Sequence, residues 1–326
     1  MSNSYLWQAN NQQIEKSNLY QYVQYLNSKQ IFNKTKKYSD IWKWSVENPT
    51  IFWSTFWDFA NIIGDKGKEV IANKQLFYER QFFSDSKLNF AKNLLIKNNN
   101  DIAIHFRSES GFEKSITWNQ LYEHVCKLSG YLKASGIEKN DRIAAYLPNN
   151  IEAIIGLLAT SKNGSIWSSC SPDFGIQGVV DRFLQIEPKI LITCDHYFYN
   201  GKKISLLERI ESILQQIPSI QKVIICSYDD SHELPKQYVS WQTILQETTL
   251  DETFEEFDFN HPLYILYSSG TTGVPKCIVH GAGGSLLEQK KELLLHCDVK
   301  EKDNIFYFTT TGWMMWNWLV AGLSCG

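Results

Sequence analysis

The sequence predicts an α/β fold, a doubly wound sheet subdomain preceded by a helical, aromatic-rich segment, and three observations carry that reading. From Asp101 onward, short apolar runs suited to strands alternate with amphipathic stretches at helical spacing, the pattern of a mostly parallel sheet covered on both faces. Residues 1 to about 95 are instead dense in aromatics at helical spacing, with a break at Pro49. Between 262 and 280, two apolar runs flank a loop of glycine, serine and threonine. The chain is thus expected to divide into an N-terminal helical segment, 1–95, and a second unit, 96–326.

In the first segment Trp42, Trp44, Trp53 and Trp57 are read as the residues that pack it against the rest, since large aromatics at this density are usually core. The second unit opens with a strand at 102–106. Thr117 then caps a helix that runs through Leu132, and Gly136 ends it. Strands at 142–147, 166–169, 189–193 and 222–226 alternate with helices at 151–160, 176–185 and 206–215. The span 229–260 is polar and acidic and reads as a solvated connection. A buried strand follows at 262–267 and another at 277–280. The glycines of 281–284 are expected to break the chain before a helix that starts near Ser285.

Composition narrows the partners. Lys and Arg total 32 against 35 for Asp and Glu, a net charge of −3, so no basic bias points to nucleic acid. A hydrophobic content of 43% and a charged content of 21% are those of a chain with a large core. The seven cysteines, at 126, 170, 194, 226, 277, 297 and 325, are odd in number and form no Cys-x-x-Cys pair, and the histidines lack zinc spacing. Reduced thiols and no metal site are expected, and with an N-terminus lacking a basic start and apolar core, a cytoplasmic protein.

The most specific signal is at 267–276, Tyr-Ser-Ser-Gly-Thr-Thr-Gly-Val-Pro-Lys. Gly270 and Gly273 let the backbone turn sharply and bring its N–H groups close to a ligand. Ser268, Ser269, Thr271 and Thr272 add hydroxyl donors, and Lys276 adds a compact positive charge. This makes a cradle for a polyphosphate. It is not a Walker loop, which needs Gly-Lys-Ser/Thr opening into a helix; here Val274 and Pro275 separate Gly273 from Lys276, and Cys277 follows in a strand.

Residues 268–276 resemble the phosphate-binding signature of the adenylate-forming enzymes, the superfamily of acyl-CoA synthetases, luciferases and peptide-synthetase adenylation domains. The stretch 308–318, Phe-Thr-Thr-Thr-Gly-Trp-Met-Met-Trp-Asn-Trp, resembles the segment that acyl-CoA synthetases place beside the acyl group and adenylate. Acetyl-specific members carry Asp-Val-Gly-Trp and then small residues. Here Thr310 and Thr311 precede Gly312-Trp313, and Met314, Met315 and Trp316 replace the small residues. That variant, with the aromatics at 41–44 and 52–57, is similar to the acetoacetate-activating subfamily, and the resemblance covers nearly the whole chain.

The resemblance implies the N-terminal part of the family's large domain, with 96–326 an incomplete AMP-binding (adenylation) domain. It implies ATP phosphates held by Ser268, Ser269, Gly270, Thr271, Thr272, Gly273 and Lys276, and an acyl pocket at Trp313, Met314, Met315, Trp316 and Asn317. Within that pocket Trp316 or Asn317 would offer a hydrogen bond to a ketone. Weaker CoA contacts are implied at Ser169 and Ser171, in the turn after a strand, and at Lys202 and Lys203. The implied reaction joins acetoacetate to CoA through an acyl-adenylate, with ATP and CoA as co-substrates and Mg²⁺ on the phosphates. His280 is read as structural.

No catalytic residue is assigned in this half. The family's adenine, ribose, hinge and catalytic-lysine elements lie beyond its phosphate loop, so the chain looks like half of a synthetase, inactive alone, whose partner is the missing C-terminal half. Two other readings stay open, another short-chain acyl-CoA synthetase and a non-catalytic nucleotide-binding fragment. The tail 305–326 is long enough on paper to cross a bilayer, but Thr309, Thr310, Thr311 and Asn317 within it argue against a span, so no membrane partner is expected.

Overall fold

The computed structural model describes residues 6–33, 37–72, 76–229, 234–268 and 273–326. Four helices come first: α1 (Asn11–Lys16), α2 (Asn18–Ser28), α3 (Tyr38–Glu47) and α4 (Pro49–Phe59). Asn10 opens α1 through a capping box with Gln13. Pro49 occupies the first turn of α4, where a missing N–H costs nothing. Short ribbons follow, β1 (Gly64–Asp65), β2 (Ile71–Ala72), β3 (Gln81–Phe82) and β4 (Lys87–Leu88), and then α5 (Phe90–Leu94).

The N-terminal aromatics do bind this segment to the rest, with one exception. Trp57 lies 5.1 Å from Phe83 and 6.4 Å from Phe259, ring centre to ring centre, and Phe83 lies 5.0 Å from Phe259. Trp44 and Trp53 pack partly buried against the same core, on Phe32, Phe52 and Phe56. Trp42 is 58% exposed and takes no such place.

The strand expected at 102–106 does not start the main sheet. β5 (Ile102–Arg107) and β6 (Glu113–Thr117) pair antiparallel as a separate hairpin. His105 and Arg107 are exposed and alternate with half-buried side chains, which suits a strand wetted on one face rather than one buried on both. Thr117 then caps α6 (Trp118–Ala134) as expected, its hydroxyl accepting from Gln120 N–H while the Gln120 amide closes the box.

The sheet is built from β7 (Arg142–Tyr146), β8 (Ile166–Cys170), β9 (Ile190–Cys194), β12 (Lys222–Cys226), β13 (Val239–Ser240), β15 (Pro262–Tyr267) and β16 (Cys277–Gly281). Their order across it is β13-β12-β9-β7-β8-β15-β16, parallel except for β16 at one edge. Helices α7 (Ile151–Lys162), α8 (Ile176–Phe183) and α9 (Leu207–Gln216) connect the parallel strands. All of α7 is buried except Ile154, as its nearly unbroken apolar composition requires. Gly156 makes that packing possible, since a Cβ there would stand 2.7 Å from the Trp167 indole. After β9, a hairpin of β10 (His196–Tyr199) and β11 (Lys202–Ser205) turns through Asn200 and Gly201, both at positive φ.

Two further expectations are corrected. The span 229–260 is more than a solvated connection: it contains β13, α10 (Trp241–Glu247) with Trp241 and Ile244 buried, and β14 (Phe257–Asp258), which joins β1 and β4 in a three-stranded sheet. Its apolar residues come singly or in pairs among polar ones, which hid them. The glycines at 281–284 also do not delay the next helix. α11 (Ala282–Lys291) starts at once, and Gly283 is inside it because a Cβ at that position would overlap the Phe259 ring. The tail forms α12 (Met314–Ala321), only eight residues long, and among the described residues no helix is long and apolar enough to cross a membrane.

The stretch before β14 is anchored by charge. Lys162, wholly buried at its side chain, donates to Ser129 and to the Thr253 carbonyl (3.0 and 2.8 Å) and lies 3.3 Å from Asp251. Lys133 lies 2.7 Å from the same carboxylate. Partial burial alone would raise the Asp251 pKa, but Lys133, the Thr253 N–H and Lys162 together lower it from 3.8 to about 2. A depressed carboxylate contributes stability in full above 3.8 and loses it as pH falls through about 2. Asp251→Asn is therefore expected to destabilise the fold by roughly 1–2 kcal/mol at neutral pH, with the gap from wild type closing at acid pH. Urea denaturation across that range measures it, and an equal gap at every pH would assign the loss to something other than charge.

Candidate active site

Open α/β sheets bind ligands in the crevice outside the carboxyl ends of their strands. Here β7, β8 and β15 end side by side, and the segment leading into α12 is tied to the ends of β7 and β8. The loop after β15 is closed at its base. Ser268 N–H donates to the Lys276 carbonyl and Lys276 N–H to Ser268 Oγ, each at 3.0 Å, extending the β15–β16 ladder past Tyr267 and Cys277. Gly273 and Lys276 are exposed. Ser269, Gly270, Thr271 and Thr272 lie outside the described residues. Beneath the loop, the Tyr267 hydroxyl accepts from Ser168 at 3.0 Å, and burial pushes its pKa up, so it stays a neutral packing group.

Residues 303–310 have no regular structure, and side-chain bonds fix the chain beyond them. Thr311, fully buried, donates from Oγ1 to the Leu147 carbonyl (2.8 Å), just past β7. Its own carbonyl accepts from Ser169 Oγ on β8 at 2.6 Å, and Ser169 accepts in turn from Trp167 Nε1 at 3.1 Å. Trp316 stacks on Trp167, with ring centres 6.5 Å apart and planes 20° from parallel, and donates from Nε1 to Asn149 Oδ1 at 2.8 Å. Gly312 is needed for this seating, because a Cβ would come within 2.9 Å of the Phe174 ring.

The five pocket candidates thus divide. Trp313 (62%) and Met314 (39%) are exposed, Met315 is half-buried, and Trp316 and Asn317 are buried. Trp316 has committed its only donor to Asn149, which takes it out of the running as a ketone contact. Asn317 Oδ1 is buried without a hydrogen bond, and Nδ2 makes only a 3.5 Å contact with the Trp313 carbonyl.

The CoA candidates and His280 are placed as well. Ser169 serves Thr311 and is buried. Ser171 is buried and donates to Asp173 at 2.7 Å, so neither hydroxyl faces solvent free. Lys202 and Lys203 are exposed on β11, in the hairpin that follows β9 at the same carboxyl end, and Lys203 lies 3.9 Å from Asp229. His280 is half-buried on β16 beside the Tyr264 ring at 5.0 Å, and burial lowers its pKa. No cluster of three or more His, Cys, Asp or Glu able to hold a metal ion occurs among the described residues.

A profile of AMP-binding enzymes matches residues 95–326. The chain belongs to the AMP-binding enzyme family. Within it, the chain is 40% identical to an acetoacetyl-coenzyme A synthetase of Rhizobium meliloti over 98% of its own length and 50% of the relative's. An acetoacetyl-CoA synthetase of Gallus gallus is 40% identical over 89% of this chain and 45% of that one. A solved acetoacetyl-CoA synthetase from Streptomyces lividans superposes with a TM-score of 0.93 at 33% identity, covering 99% of this chain and 50% of that one. The chain spans about half the length of the relatives it matches.

For a member of the AMP-binding family, the residues that sequence reasoning missed are those that seat the crevice: Asn149, Trp167 as a stacking partner, and the Thr311 hydroxyl. Asn149 had a signal, since it stands in a Pro-Asn-Asn turn directly after a strand. Trp316→Phe keeps a ring for the stack but leaves Asn149 Oδ1 unpaired, which is expected to destabilise the chain by about 1 kcal/mol. The near-ultraviolet circular dichroism band of the coupled indoles should disappear in the same variant. An unchanged spectrum would mean that the two rings do not stack in solution.

Proposed function

We propose that the chain is the N-terminal half of an ATP-dependent acetoacetate–CoA ligase. The observation that carries this is that the Ser268–Lys276 loop base and the Thr311–Asn317 segment stand at the carboxyl ends of two neighbouring parallel strands, β15 and β8. That arrangement occurs in a chain 40% identical to an acetoacetyl-CoA synthetase over 98% of its length. A carboxylate is a poor acyl donor because it would have to expel oxide. Attack of one of its oxygens on the α-phosphorus of ATP forms an acyl–phosphate bond and breaks the bond to pyrophosphate. The CoA thiol then takes the acyl group and AMP leaves with the bonding pair.

Two anions must approach in the first step, so the chain's task is to neutralise and orient charge. Lys276, the loop N–H groups and the hydroxyls of Ser268, Ser269, Thr271 and Thr272, with Gly270 and Gly273 giving access, would hold the β- and γ-phosphates. Mg²⁺ would arrive bound to the polyphosphate and supply further charge neutralisation, in keeping with its preference for phosphates plus one or two protein ligands. Trp313, Met314 and Met315 would wall the acyl group, and methionine adapts to irregular shapes. The loosely held Asn317 amide could turn an N–H toward the ketone. Lys202 and Lys203 would meet the phosphates of CoA, while Ser169 and Ser171 support the crevice from inside. The seven free thiols suit a reducing cytoplasm. The segment 1–95 would brace the adenylation unit, and the complementary half, joined or separate, would supply the remaining groups.

A malonamoyl-CoA synthetase of Penicillium aethiopicum, 35% identical over 94% of this chain, favours a second reading, a short acid with an amide where acetoacetate has its ketone. In the chain completed by its second half, ATP–pyrophosphate exchange should depend on acetoacetate, and Lys276→Ala should slow it about 100- to 1000-fold. Exchange that survives this change would remove Lys276 from the phosphate site. The same protein should give a higher kcat/KM with acetoacetate than with butyrate or acetate, because a site built around a ketone bond rejects analogues that lack it. Equal use of butyrate would mean that no ketone donor exists.

A further inference from the structure

The Ser268–Lys276 pair ties the phosphate loop to itself, and something else must fix where the loop stands. That hold comes from the C-terminal turn of α8. Gln185, just past the helix, donates from Nε2 to the Asp181 carbonyl at 2.6 Å and to the Pro275 carbonyl at 2.8 Å. Its Oε1 faces the Cys277 thiol at 3.7 Å. The first bond, to its own helix, locks the side chain, and the other two grip the residues on either side of Lys276. On the same turn, Arg182 stacks over Phe174 at 4.5 Å and reaches the Tyr267 ring at 5.7 Å, next to Ser268. One helix end therefore touches both strands of the loop base.

The Pro275–Lys276 peptide unit gives this contact its meaning. A peptide is planar, with its C=O and N–H pointing in opposite directions. Here the C=O is held by Gln185 and the N–H by Ser268 Oγ, so one rigid plane is pinned from both sides. The direction in which Lys276 leaves the backbone is set by that plane. Gln185 is exposed, so its replacement leaves no cavity.

We propose that Gln185 is a positioning residue for the phosphate loop, which orients Lys276 by holding the Pro275 carbonyl. The inference rests on reading 267–276 as a polyphosphate site. Gln185→Met preserves the size of the side chain and removes the donor. In the 326-residue chain, residue-resolved amide exchange should show the Lys276 N–H exchanging about three- to tenfold faster, with an unchanged melting midpoint. Mg·ATP binding should weaken about three- to tenfold in Gln185→Met, but by less than about twofold when Lys276→Ala is already present. Unchanged Lys276 exchange overturns the proposal, and so does an equal loss of affinity in both backgrounds. If wild type and Lys276→Ala bind Mg·ATP alike while Gln185→Met still frees the Lys276 amide, the polyphosphate reading has failed, the functional part of the proposal falls with it, and the structural contact stands.

Discussion

The hydrogen bond from Ser169 to the Thr311 carbonyl is the contact on which the crevice depends. Residues 303–310 have neither helix nor ladder to guide them, so the segment before α12 is located by side chains alone. Thr311 answers with its hydroxyl on Leu147, which ties the segment to two adjacent strand ends at once. Both bonds are buried, where an unmet donor or acceptor costs about 1–3 kcal/mol, so neither partner has a comparable alternative. Everything from Gly312 to Asn317 takes its position from that anchor.

A second constraint joins the parts of the chain that are distant in sequence. Trp57, Phe83 and Phe259 bring the N-terminal helices, the ribbons and the approach to β15 into one aromatic cluster, and Gly283 yields its Cβ position to the same Phe259 ring. The strand that leads into the glycine loop is therefore set by residues some two hundred positions earlier. At the end of α7, Lys162 and Asp251 perform the same service with charge. The result is one continuous core rather than a helical appendage beside a sheet.

Much of this was legible in the sequence. Short, mostly apolar runs such as Ile190–Cys194 mark strands buried on both faces, and Thr117 with Gln120 spells out a helix start. What misled was local composition read without its neighbours. The glycines at 281–284 look like a break, yet Gly283 is dictated by a ring 24 residues upstream. The strand at 102–106 has the right residues but one wet face. At the site, the glycine loop and the Gly-Trp-Met-Met segment were visible as motifs because their chemistry is written in consecutive residues. Asn149, Gln185 and the Trp167–Trp316 stack were not, since each acts across a distance that only folding closes.

Gly156 carries a consequence beyond its own helix. Its bare Cα admits the Trp167 ring, Trp167 supports Trp316, and Trp316 begins the buried face of α12. Positions 156, 167 and 316 thus behave as one column of fixed total volume. A methyl group added at its foot must be taken back at its head, either by a smaller ring at 167 or by a retreat at 316. The seat of Trp316 at the start of α12 is in this way decided partly inside α7, and the three positions are free to vary only together.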